Sequence, residues 1–141
     1  MNTIFKSDFA AFVMRISLGS VLLAHSVYLK LIVFTLPGTA QFFSSIGLPG
    51  FLAYVVFAIE AITGIALVLG VQTRWFAALA IPVLLGATWA HSANGWLFTN
   101  TGGGWEYPLF LALMAFVQVG LGNGKYALPL NAMKYRSVAA H

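Results

Sequence analysis

Six side chains in this sequence could move protons or hold an anion, and all six lie in or at the ends of strongly apolar stretches: Arg15, His25, Lys30, Glu60, His91 and Glu106. Imidazoles and carboxylates are the usual general acids and bases. A guanidinium or an ammonium attracts a small anion. Inside a membrane helix each such group costs about 2.5–3.5 kcal/mol on insertion scales, so it faces a bundle interior and finds a partner there. A bundle built for stability alone would not ordinarily carry six.

The stretches that hold these residues read as membrane spans. Of 141 residues, 60% are hydrophobic and 7% charged, and the mean hydropathy is +0.90; a soluble domain is roughly 45–50% apolar and 25% charged. About 20 apolar residues make a span, and four are predicted, near residues 9–31, 50–70, 75–92 and 106–122, with a tail at 123–141. The expected fold is an all-α integral membrane protein, a four-transmembrane-helix bundle in a single domain over residues 1–141. Lys6, Arg74, Lys125, Lys134 and Arg136 flank the spans on one side, so by the positive-inside rule both termini are expected to be cytoplasmic. Arg15 interrupts the first apolar run and no small-residue cleavage site follows, so that run is expected to stay as a span rather than leave as a signal peptide.

Composition also excludes function classes. The charge of +4 is scattered through apolar sequence and forms no patch of the kind that neutralises phosphates, so no nucleic-acid partner is expected. With no cysteine there is no disulfide, thiol catalysis, Fe–S ligation or Cys-based zinc site.

Depth and rotation then arrange the polar groups. With about 1.5 Å rise per residue, Arg15 and His25 are about 15 Å apart along span one, Arg15 toward the cytoplasm. At about 100° per residue, Arg15, His25 and Lys30 share an arc of roughly 140°. Glu60 falls near mid-membrane, within reach of Arg15 below or His25 above. An outward-facing cluster of His25, Lys30, His91 and Glu106 is therefore expected, with Glu60 and Arg15 deeper. Each has a plainer alternative. Arg15 and Glu60 could be a register-fixing ion pair, Lys30 could snorkel to the interface, the histidines could be neutral and bonded to backbone, and Glu106 could be the favourable acid at a helix N-terminus.

Between spans one and two, "TLPGTAQFFSSIGLPG" brackets a short stretch with two Pro-Gly pairs, read as either an interfacial helix or a loop. In span two, Glu60, Thr63, Gly64 and Leu67 share a face whose small residues would admit a close helix. Pro82 is expected to bend span three. Trp96, Trp105 and Tyr107 suit an aromatic belt beside the Asn94-Gly95 turn.

The whole pattern resembles the DoxX family of small bacterial membrane proteins. The resemblance is carried by Arg15, His25 and Lys30 in span one, by "SIGLPGFLAY", by Glu60 with Gly64 and "LVLGVQTRW", by "HSANGW", by "GGGWEYPL" and by "GNGKYAL". It departs at "ALPL", where a small polar and an acidic residue would be expected. It implies a four-helix fold in the bacterial inner membrane and an association with redox chemistry, since relatives include subunits of thiosulfate:quinone oxidoreductase and membrane partners of redox enzymes.

On that reading the chain is expected to serve as a membrane subunit of a quinone-linked oxidoreductase. Quinone reduction needs an apolar slot, donors for the ring carbonyls and a proton route to water. Glu60, His25, His91 and Glu106 are the candidate catalytic residues. Arg15, Lys30, Asn94 and Tyr107 are the candidates for binding a quinone or a small anionic substrate. Electrons would come directly from the reductant or through a protein partner, because no cysteine can hold sulfur. The alternatives are a non-catalytic anchor for a soluble redox enzyme and a permeation path for a small solute or proton. His25 and His91 could ligate a haem iron, and with Glu106 they suit zinc or copper by ligand type; their spacing matches no haem motif, and no haem or metal is expected. The lipid bilayer is the obligatory partner, and a homo-oligomer is a candidate form.

Overall fold

The computed structural model describes residues 6–129. The chain runs α1 (Ser7–Leu23), continues without a break as a π-helix (Ala24–Val33), and then forms α2 (Leu36–Ser45), α3 (Phe51–Leu69), α4 (Thr73–Ala90) and α5 (Glu106–Leu121). No strand occurs among the described residues. Among the described residues three helices are long and apolar enough to cross a membrane: Ser7–Val33, Leu52–Leu69 and Thr73–Ala90. The apolar α5, with 16 residues, reaches about 24 Å at 1.5 Å per residue, short of a hydrocarbon core of about 30 Å.

The four long elements close a ring. α4 packs chiefly on α5 and α1 on α3, with α3–α4 and α1–α5 contacts completing it. The core draws on every member: Leu18 and Leu22 from α1, Leu67 from α3, Ala77, Ala80 and Leu84 from α4, and Leu111, Ala112 and Ala115 from α5. Large apolar side chains such as Ile62, Trp75, Phe110 and Phe116 point outward, as they do where the surrounding solvent is lipid. The face predicted on span two is buried at Glu60, Thr63, Gly64 and Leu67. The glycine on that face allows a close approach, since a Cβ on Gly64 would stand 3.0 Å from Gly19 O and 2.8 Å from Leu23 Cγ. The α1–α3 backbones therefore meet at a glycine pair midway along the bundle.

The bracketed stretch after span one is a helix. Thr35 opens α2 with its Oγ1 accepting from Gly38 N at 3.2 Å, Pro37 sits in the first turn where no amide partner is needed, and Thr39 Oγ1 donates back to Thr35 O at 2.8 Å. Two boundaries move. Span three begins at Thr73, whose N–H is taken by Asn123 Oδ1 at 3.2 Å, and it ends at Ala90, leaving His91 just beyond it. Residues 123–128 of the expected tail pack on the bundle: Lys125 N donates to Asp8 O and Leu128 N to Leu69 O. Lys134, Arg136 and the remainder of the expected tail lie outside the described residues.

Candidate functional site

The polar residues separate to opposite ends of the bundle. At the end formed by the π-helix, α2 and the loop after α4, Lys30 Nζ donates to Glu60 Oε2 at 2.7 Å, the one salt bridge among the described residues. The pairings considered for Glu60, with Arg15 or with His25, are not the ones made. The reason is local geometry. In an α-helix Lys30 would point about 140° away from His25, whereas a π-helix stacks residues about five apart through its i→i+5 ladder, as in Phe34 N→Leu29 O at 2.8 Å. Lys30 thereby turns inward onto α3 instead of snorkelling. Ser26, fully buried, eases the change of register by donating from Oγ to Leu22 O at 2.8 Å.

Around this pair the loop end gathers most of the expected cluster. His25 lies within electrostatic range of Lys30 and His91, and its ring is 6.1 Å from that of Tyr107. His91 Nδ1 is 2.8 Å from Ala87 O; a carbonyl only accepts, so Nδ1 carries a hydrogen in that contact and Nε2 faces Gly103. Thr63 Oγ1, one helical turn from Glu60, is buried with no hydrogen-bond partner among the described residues. Among those residues no three His, Asp or Glu side chains converge as a metal-ion site.

Asn94 and Glu106 serve the loop that roofs this end. Asn94 Nδ2 donates to Gly102 O at 3.1 Å, Asn100 Nδ2 donates to Asn94 O at 2.9 Å, and Glu106 Oε1 accepts from Phe98 N at 3.0 Å. Trp105 N→Gly95 O and Glu106 N→Trp96 O lace the two arms together, and the Trp96 and Trp105 rings meet edge to face at 5.4 Å. Between this loop and α5 lies an apolar groove of about 380 Å³, lined by Trp96, Phe98, Trp105, Tyr107, Phe110 and Leu113, with Glu106 at its edge. Tyr107 belongs both to the groove and to the neighbourhood of His25.

Arg15 stands apart, at the end where the described chain begins and finishes. It is fully buried and meets no carboxylate among the described residues. Its guanidinium donates from Nη1 to Leu67 O at 3.0 Å and to Val68 O at 2.6 Å, from Nε to Asn123 O at 2.9 Å and from Nη2 to Lys125 O at 2.7 Å, while its carbon lies 5.1 Å from the Phe12 ring centroid. Leu67 and Val68 offer carbonyls of the last turn of α3, the end of a helix where positive charge is favoured. Gly70, left-handed at φ +74°, closes that terminus, and a Cβ there would strike Ala127. Four of the five guanidinium hydrogens are thus committed to holding "GNGK" against α3. Sequence reasoning found Arg15 but looked for a side-chain partner; "LVLG" with a later "GNGK" was the available signal for a backbone one.

The model of the DoxX family matches residues 10–93. A protein of Bacillus subtilis (strain 168) named "Putative oxidoreductase CatD" is 52% identical over 50 residues, a stretch that covers 36% of this chain and 37% of that relative. No solved structure matches. The family match takes in most of α1, the Lys30–Glu60 pair and the start of the roofing loop, more than half of the sequence, and the chain belongs to the DoxX family.

Proposed function

We propose that the chain is a multi-pass subunit of a quinone-linked oxidoreductase system in the bacterial inner membrane, and that the quinone ring enters the aromatic groove at the loop end. The observation that carries this is Tyr107, which joins an apolar groove of ring-accommodating size to the half-buried His25. A quinone supplies a two-electron, two-proton acceptor. The chain's own part is to hold the ring between the Trp96–Trp105 pair and Phe110, to donate to a ring carbonyl from Tyr107 Oη or His25, and to pass protons between Glu106, His25 and His91. Lys30 and Glu60 fix the inner wall by their mutual ion pair. Electrons come from a protein partner or an anionic reductant. The name of the Bacillus relative agrees with a redox role. In this setting α5 is the fourth span, slightly tilted neighbours and a thinned bilayer covering its shorter length. Lys6, Arg74 and Lys125 lie at the Arg15 end, which favours both termini on the cytoplasmic side.

The test is solvent extraction and mass spectrometry of the detergent-purified protein from quinone-containing membranes. Quinone is expected at near-stoichiometric yield, and it should fall at least fivefold in Tyr107→Ala and His25→Ala. A quinone-free protein that still captures a soluble redox enzyme would replace this reading with that of an anchor.

A further inference from the structure

At the opposite end of the bundle, a second groove of about 390 Å³ lies between the start of α1, the α3–α4 turn and the segment after α5. We propose that it binds the headgroup of a phospholipid carrying a primary amine beside its phosphate, as phosphatidylethanolamine does. The inference rests on the membrane setting and is independent of the quinone site.

The groove is lined by opposite charges that do not meet. Arg74 and Asp8 both face it, yet the one salt bridge among the described residues is Lys30–Glu60. The contrast with Arg15 is informative: that guanidinium is fully buried and engaged with four carbonyls, whereas Arg74 is exposed and makes no hydrogen bond to a described residue. Gln72 and the Asn123 side chain complete the polar wall. Asn123 spends its Oδ1 on Thr73 N, which leaves its Nδ2 hydrogens to donate. Trp75, 76% exposed, flanks Arg74 on the outer surface of the bundle, the position of an indole at headgroup level.

That set of groups selects its ligand by chemistry. A planar guanidinium with an amide beside it matches phosphate oxygens. A carboxylate within the same groove repels a simple anion but accepts from an ammonium N–H. Phosphatidylcholine has no N–H to give, and phosphatidylglycerol has no cation for Asp8. Phosphate with a neighbouring primary amine satisfies both charges at once.

Native mass spectrometry of the full chain in micelles, with equimolar phosphatidylethanolamine, phosphatidylcholine and phosphatidylglycerol of identical acyl chains, reads the preference. Phosphatidylethanolamine is expected to be retained about three- to tenfold over either competitor, the worth of one partly exposed charge-assisted contact. Arg74→Gln should lower its retention by a similar factor and Arg74→Lys by less. Asp8→Asn should abolish its advantage over phosphatidylglycerol. Thermal unfolding in lipid-free micelles should be unchanged in the Arg74 variants; if Arg74→Gln does not fold, Arg74→Lys and Asp8→Asn still decide. Equal retention of the three lipids, or a preference untouched by Arg74→Gln and Asp8→Asn, overturns the proposal. Displacement of the lipid by low-millimolar O-phosphoethanolamine also overturns it, because the same chemistry would then belong to a soluble ligand.

Discussion

Replacing Lys30 and Glu60 singly and together separates a structural ion pair from a functional one. The contact is 2.7 Å long, with the Glu60 side chain 6% and the Lys30 side chain 18% exposed. Lys30→Met strands the more buried carboxylate, so its cost should reach the about 3–5 kcal/mol typical of a broken buried pair. Glu60→Leu strands an ammonium on a long stem that can swing toward the loop end, so roughly half that cost is expected. The double replacement removes both desolvated charges and leaves apolar contact between the π-helix and α3. It should therefore lie within about 1 kcal/mol of the parent, a coupling of several kcal/mol. Unfolding free energies measured in mixed micelles of fixed composition give all four corners of the cycle. Additive single effects would refute the reasoning, since they would mean that the π-helix does not deliver Lys30 to Glu60. Quinone content of the stable double variant adds the functional arm: loss of quinone without loss of stability gives the charged pair a role in the site, and full retention restricts it to packing.

Three further outcomes are expected. Arg15→Met should cost more than about 3 kcal/mol, because four carbonyls lose charge-assisted donors worth about 1.5–3 kcal/mol each before relaxation; Arg15→Lys should recover only part, and limited proteolysis should then cut after Gly122, where the parent resists. Gly64→Leu should cost about 1–3 kcal/mol by overpacking against Leu23 and Gly19 O, checked by thermal unfolding, with Gly64→Ala milder. Glu106→Ala should release Phe98 N and raise hydrogen exchange across residues 97–103, while protection in α1 and α3 stays as in the parent.

The apolar runs and the glycines that end them made the helices legible in advance, and the buried face of α3 followed from helical spacing alone. Even the bracketing Pro-Gly pairs correctly left a helix open as one reading for α2. Partner choice was another matter. Sequence spacing put Lys30 on the polar side of span one but did not pair it with Glu60, because no residue type in "AHSVYLKLIV" announces an i→i+5 ladder; the π-helical register comes with packing against α3 and with Ser26 Oγ donating to Leu22 O. The partners of Arg15 were hidden for a different reason. A search for charge partners counts carboxylates, and this guanidinium is satisfied by backbone carbonyls from segments 52 to 110 residues away in sequence. Asn94 and Glu106, picked as chemical groups, spend at least one bond each on the roofing loop, a tertiary arrangement that the glycine run permits but does not specify.

Span one therefore handles its cations in two ways, and the difference bears on where function can reside. Arg15 is matched to carbonyl dipoles with four hydrogen bonds on two segments, so moving it would dismantle the end of the bundle. Lys30 is matched to one carboxylate through one contact, from a helix whose hydrogen-bond register is itself unusual, and π-helical segments are frequent at functional sites. A group held by one bond can exchange that bond for one to a ligand, whereas a group held by four cannot without dismantling its surroundings. On that ground the loop end, where His25, Lys30, Glu60, His91 and Tyr107 gather beside an aromatic groove, is where redox chemistry should be sought. The Arg15 end fixes the frame that keeps α1 and α3 in contact beneath it.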